Sequence, residues 1–125
     1  MARILVIDDD DLVCEVVART LASAGHAVRQ TCDAVTGLSL FRAAPVDIVV
    51  TDLALPHMTG FELITTLRGE GAKVPIIAIS GSFVVSDLEL IREVQSHISV
   101  QLLGKPFSDD QLLKAVSAAL SIAGL

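Results

Sequence analysis

A doubly wound α/β fold, a five-stranded parallel sheet with helices on both faces, is predicted by three features of this sequence. Five short runs rich in β-branched residues alternate with longer segments of helical period. Three of the runs, ILVI, IVVT and IIAIS, are apolar on both faces, as central strands of a covered parallel sheet must be. Helix-start and helix-stop residues punctuate the segments between them.

The first strand covers Arg3–Ile7 and runs into four consecutive aspartates, Asp8 to Asp11. Asp10 and Asp11 suit the start of the first helix, where acids complement the positive end of the helix dipole. That helix carries Leu12, Val13, Val16 and Val17, and Gly25 stops it. The second strand, Ala27–Thr31, reads AVRQT, and its polar residues place it at a sheet edge. The third strand covers Ile48–Thr51. Thr59-x-x-Glu62 then forms a capping box, in which two orphan backbone donors are satisfied reciprocally, and Gly69 is expected to close the helix it opens. The fourth strand covers Pro75–Ser80, and Ser86-x-x-Glu89 opens the next helix. The fifth, Val100–Gly104, reads VQLLG and takes the other edge. Ser108-x-x-Gln111 opens the last helix, whose stripe is Leu112, Leu113, Val116 and Leu120, with Lys114 and Ser117 outside it and Gly124 as the stop.

At 125 residues and 52% apolar content the chain is expected to form one domain, 1–125, with a single packed core, which excludes disorder. The longest uncharged stretch, Val74 to Ser86, is too short to span a bilayer. Only four apolar residues follow Arg3 before the acids, which argues against a signal peptide, so a soluble, cytoplasmic protein is expected. Nine basic residues against fifteen acidic ones give a net charge of -6, and the basic residues are isolated from one another. Direct nucleic-acid binding is therefore not expected. Cys14 and Cys32 lack C-x-x-C spacing and read as ordinary thiols of a reducing compartment. His26, His57 and His97 share no ligand spacing, and zinc is not expected.

Ligands of doubly wound sheets sit beyond the carboxyl ends of the strands. There the sequence places Asp8 and Asp9, Asp52, Ser80 and Lys105. Two carboxylates about 4 Å apart repel by about 4 kcal/mol at an effective dielectric of about 20, so folding alone gives no reason to gather them. A hard divalent cation such as Mg²⁺ gives one, because it takes oxygen ligands and keeps several waters.

The stretches ILVIDDD, DIVVTDLALPHMTGFEL, IIAISG and LLGKPF, in this order, resemble the receiver domain of two-component response regulators over essentially the whole chain. The resemblance, which includes a similarity to the chemotaxis receiver, implies a flavodoxin-like (βα)5 sandwich with strand order 2-1-3-4-5. It implies a regulatory phosphoacceptor domain rather than an enzyme. Asp52 would be the nucleophile that takes a phosphoryl group from a sensor histidine kinase or a histidine phosphotransfer protein. Asp9 would ligate Mg²⁺ (or Mn²⁺) directly, Asp8 mainly through a water, and Ala54 through its backbone carbonyl. Ser80 and Lys105 would neutralise the phosphoryl oxygens, Gly81 would leave room for the group, and the Lys105–Pro106 bond is expected to be cis. The first helix is expected to help dock the kinase, and the face built from the segment after Ser80, the fifth strand and the last helix to bind a downstream protein. Two features depart from the family pattern. Leu102 stands three residues before the lysine, where receivers carry Tyr or Phe, which leaves a part in the switch to Leu102 itself or to Phe83, and the segment from Ser80 to Lys105 is longer than usual. Small residues at Ala54 and Ser82 suggest water access and rapid self-hydrolysis, and His57 is expected to be an exposed loop residue. Two rival readings are a pseudo-receiver scaffold that is never phosphorylated and a haloacid-dehalogenase-like phosphatase using the Asp8-x-Asp10 spacing.

Overall fold

In the computed structural model, which describes residues 2–81, 92 and 99–122, the predicted alternation is realised. The elements are β1 (Arg3–Ile7), α1 (Asp11–Ser23), β2 (Ala27–Thr31), α2 (Ala34–Ala43), β3 (Ile48–Asp52), α3 (Gly60–Gly69), β4 (Ile76–Ser80), β5 (Val100–Gly104) and α4 (Asp109–Ile122). All four strand pairings are parallel, and the sheet order is β2-β1-β3-β4-β5. The winding reverses between β1 and β3, which is where the ligand crevice of such a sheet opens.

The period-2 alternation of the strands sorts their side chains into two layers. Leu5, Ile7, Val49, Ile76 and Ala78 face Leu38 of α2 and Leu63, Ile64 and Leu67 of α3. Ile4, Val6, Ile48, Val50, Ile77 and Ile79 face Cys14, Val17 and Leu21 of α1 and Leu112 and Val116 of α4. β3 and β4 are buried along their whole length, while β2 and β5 occupy the edges and are only partly covered, as their polar residues required.

The helix starts follow the capping chemistry. Asp10 accepts from the backbone N–H groups of Leu12 and Val13, and Thr59 with Glu62 forms the reciprocal box. The Ser108 N–H donates to Gln111 Oε1 at 2.8 Å while Gln111 N–H donates to Ser108 Oγ at 3.1 Å. The cap of α2 is Asp33, which the sequence reading did not single out. Three boundaries differ from expectation. β3 continues one residue further, through Asp52, because Asp52 is still paired with Ile79. β4 starts at Ile76 rather than at Pro75, which has no N–H to give a ladder and only accepts, from Val49 at 3.0 Å. Gly69 lies inside α3; the cap is Glu70, and the left-handed residue is Gly71 at φ 85°. Gly25 does take the left-handed conformation after α1, at φ 97°. The expected Ser86-x-x-Glu89 helix start, Ser82, Phe83, His97 and the Gly124 stop lie outside the described residues. Among the described residues no helix is long and apolar enough to cross a membrane.

Candidate phosphoacceptor site

Strand register assembles the site. Ile7 is paired with Thr51, so the next residues, Asp8 and Asp52, emerge side by side from β1 and β3. Asp52 is paired with Ile79 and Ser80 with Gly104, which puts Ser80 at the end of β4 and Lys105 just beyond β5. Four strands thus deliver two acids, a hydroxyl and an amine to one edge of the sheet.

The two acids are almost completely buried, Asp8 at 1% and Asp52 at 5% exposure, and Ser80 is buried beside them. Lys105 Nζ lies 2.9 Å from Asp52 Oδ2 and 3.5 Å from Asp8 Oδ2. The other Asp52 oxygen, Oδ1, accepts from the Ala54 N–H at 2.8 Å, so both oxygens are held and the carboxylate has a fixed orientation. Asp8 Oδ1 accepts from the Asp10 N–H at 2.9 Å, whereas buried Asp8 Oδ2 has, among the described residues, only the Lys105 ammonium at 3.5 Å. One carboxylate oxygen from each of Asp8, Asp9 and Asp52 falls within 4.8 Å of the others, with Asp9 exposed.

Burial is the main reason that the Asp8 carboxyl is held above its ordinary pKa, and the charges of Asp52 and Asp9 add to it against the Asp10 N–H and Lys105. Burial also pulls the Lys105 amine down, but the hydrogen bond and charge of Asp52 and the charge of Asp8 outweigh it, and its pKa is raised. Among the described residues a single lysine faces three clustered carboxylates, and this excess of negative charge around buried oxygens calls for a further positive partner. Hard oxygen donors, with one acid open to water, fit Mg²⁺.

The loops that carry these groups are tightly set. The Lys105–Pro106 peptide is cis, as the resemblance implied. Its lysine N–H donates to the Ser80 carbonyl at 2.7 Å. Gly60, at the start of α3, presses on the acceptor itself: a Cβ there would stand 2.3 Å from the Asp52 carbonyl oxygen and 2.7 Å from Leu53 Cα. Buried Thr51 donates its hydroxyl to that same Asp52 carbonyl at 3.0 Å. The sequence reading missed both. The only signal for Gly60 was a glycine directly after the capping Thr59, which also suits an ordinary helix start. Gly81 leaves space next to Ser80, the nearest atom to an added Cβ being Lys105 Cδ at 3.8 Å. Ala54 is at the rim and enters the site through its N–H. Asp10 caps α1, so the Asp8-x-Asp10 pair does not face the site as a phosphatase of that type would require. His57 is exposed, at φ 65°. Leu102 is half-buried against the α2 and α3 layer.

Beside the site, Leu12, Val13, Val16 and Val17 of α1 line a groove of about 460 Å³ with Lys105, Pro106 and Phe107. Leu12 is 69% exposed and Val16 50%, whereas Val17 belongs to the core. The sequence reading of that helix as part core and part surface is thereby divided residue by residue.

A family model described as the response regulator receiver domain matches residues 4–117. Among curated relatives, the transcriptional regulatory protein FixJ of Azorhizobium caulinodans is 37% identical over 117 residues, covering 92% of this chain and 53% of that protein. The response regulator MprA of Mycobacterium tuberculosis is 33% identical over 118 residues, covering 94% of this chain and 50% of its own length. The chain thus spans about half the length of the curated relatives it matches. Among solved structures, the chemotaxis protein CheY4 of Vibrio cholerae superposes with a TM-score of 0.85 at 29% identity, covering 96% of this chain and 99% of that one. A receiver domain protein from Clostridium thermocellum shares the fold at a TM-score of 0.86 and 24% identity, covering 99% and 98% of the two chains.

Proposed function

The chain belongs to the response regulator receiver domain family of two-component systems, and from that membership we propose that Asp52 accepts a phosphoryl group from a phosphohistidine of a sensor kinase or phosphotransfer protein. The observation that carries this reading is the buried Asp52 carboxylate, oriented by the Ala54 N–H and paired with Lys105 at 2.9 Å, with Asp8 and Asp9 converging on it.

An Asp52 oxygen attacks phosphorus in line, the P–O bond forms as the P–N bond to the donor imidazole breaks, and the nitrogen leaves with the electron pair. Lys105 is already within reach of the acceptor and turns its ammonium to the new phosphoryl oxygens, so charge is neutralised without a long side-chain movement. The Ser80 hydroxyl, one residue past the Ile79 partner of Asp52, donates to another of those oxygens. Asp9, Asp8, Asp52 and the Ala54 carbonyl would hold Mg²⁺ (or Mn²⁺), which when bound supplies electrostatic stabilisation of the transferring group. The step turns over once per phosphoryl group, which makes the domain a regulated acceptor rather than an enzyme acting on a separate substrate.

The exposed apolar groove of α1 with Pro106 and Phe107 opens next to Lys105 and suits the apolar helix face of a phosphohistidine donor. Phosphorylation adds about two negative charges beside Lys105. The resulting shift would be read on the face built from the segment after Ser80, edge strand β5 and α4, with Leu102, half-buried against the α2 and α3 layer, as the β5 side chain that repacks. Incubation with Mg²⁺ and acetyl phosphate should add one phosphoryl mass to the wild-type chain and none to Asp52→Asn. Equal labelling of the two would overturn the assignment. Leu12→Ala with Val16→Ala should slow transfer from a phosphohistidine protein while leaving acetyl phosphate labelling unchanged.

A further inference from the structure

The second feature near the acids is a pair of thiols. Cys14, on the buried face of α1 at 5% exposure, and exposed Cys32, the residue after β2, line one surface cavity of about 400 Å³ together with Asp11, Glu15, Gln30 and Thr31. The Cys14 Sγ sits 3.8 Å from the Thr31 carbonyl oxygen, a weak S–H···O contact. Peptide geometry fixes the Cys32 Cα close to that same oxygen, so the Cys14 sulfur and the Cys32 Cα lie within about 7 Å of each other. A disulfide requires Cα atoms about 4.4–6.8 Å apart, so the Cys32 backbone has to close on the Cys14 sulfur for the bond to form. Cys32 stands outside the strand ladder, where its backbone can follow the sulfur.

The Thr31 carbonyl also accepts the Asp8 N–H, at 3.2 Å. One oxygen thus ties the end of β2 to the Cys14 thiol and to the backbone of a site carboxylate. We propose that Cys14 and Cys32 form a reversible intramolecular disulfide under peroxide, and that this bridge loosens the acid cluster by drawing the Thr31 carbonyl away from Asp8.

The chemistry balances with hydrogen peroxide as oxidant. Exposed Cys32, as thiolate, attacks one peroxide oxygen; the O–O bond breaks, the proton released when the thiol ionised joins the departing hydroxide, and a sulfenic acid and water result. The Cys14 sulfur then attacks the Cys32 sulfur, the S–S bond forms as the S–O bond breaks, and the thiol proton leaves with the hydroxide as a second water. Two thiols are oxidised and one peroxide is reduced. Disulfides that form in reducing compartments are usually transient and redox-sensing.

The bridge itself is independent of the function proposed above, whereas its effect on the acids rests on the proposed Mg²⁺ site. The full chain is treated with hydrogen peroxide, and intact mass, free thiols and Mg²⁺ affinity by calorimetry are read before and after, with Cys32→Ser alongside. The expected result is a monomer that has lost both thiol hydrogens, regains them with a dithiol, and binds Mg²⁺ roughly tenfold more weakly, the size seen when outer-shell partners of metal ligands are removed. Cys32→Ser should keep its affinity through the treatment. Disulfide-linked dimers, a Cys32 sulfinic acid with Cys14 unreacted, or an internal bridge with unchanged Mg²⁺ affinity would each overturn the proposal. Failure of the reduced chain to take up Mg²⁺ would overturn the metal reading and the switch together, while the mass still reports on the bridge.

Discussion

At the scale of single residues, the site is built from groups that the fold holds at a cost. The Asp8 carboxyl is pushed above its ordinary pKa, first by burial and then by Asp52 and Asp9. A carboxyl raised in the folded state favours its protonated form there, so its contribution to stability is full below the unfolded pKa and is lost as pH rises through the raised value. Asp8→Asn, which cannot ionise, should therefore melt at a higher temperature than wild type at pH 7 without divalent cation, and the gap should close as the pH is lowered through the acid range. Circular dichroism melts at several pH values check this, and a variant less stable than wild type at pH 7 would contradict it. The residues of the site were legible because their chemistry is: acids, a hydroxyl and an amine, each directly after an apolar run. Thr51 and the Cys14 to Thr31 contact were not: Thr51 turns its hydroxyl to the carbonyl of the next residue, which no sequence pattern marks, and Cys14 meets a backbone oxygen from another element.

At the scale of elements, two glycines of α3 separate what local pattern can and cannot tell. Gly69 read as a stop, but it is helical, and an added Cβ would meet nothing within 4 Å. Gly69→Ala should stabilise the chain by about 0.5–1 kcal/mol, the entropy that glycine loses in a helix. Gly60 carries no such freedom, since its Cβ would strike the backbone of Asp52 and Leu53. Gly60→Ala should cost about 1–3 kcal/mol, as overpacking does. It should also slow acetyl phosphate labelling, because the start of α3 must back away from the acceptor. Urea titrations of both variants give the two signs, and a neutral Gly60→Ala would mean that α3 does not bear on Asp52. Strand ends were off by one residue for a related reason. Asp52 is polar and reads as a loop residue, yet the Leu53 N–H still reaches the Ile79 carbonyl at 3.0 Å, so pairing with β4 extends β3 through it. Tertiary pairing overrides local polarity there.

At the scale of the whole molecule, two apolar layers stabilise the sheet and one edge of it carries uncompensated charge. The alternation of periods was enough to predict both layers, while strand order entered through family resemblance, because nothing local encodes which strands become neighbours. The separation of core from site makes stability and cation binding independent except through the acids. A cation that binds only the folded chain adds about 1.4 kcal/mol at roughly ten times its dissociation constant. Wild type should therefore show a urea midpoint that climbs with Mg²⁺ concentration. Leu63→Ala removes a 1% exposed side chain from the α2 and α3 layer. It should lower the starting stability by about 2–5 kcal/mol and leave the Mg²⁺ increment unchanged. Asp9→Asn should do the reverse, since Asp9 is exposed and lies outside both layers: little change without the cation and a much smaller rise with it. If Asp9→Asn and wild type climbed alike, the cation would be stabilising the chain from somewhere other than the cluster of Asp8, Asp9 and Asp52.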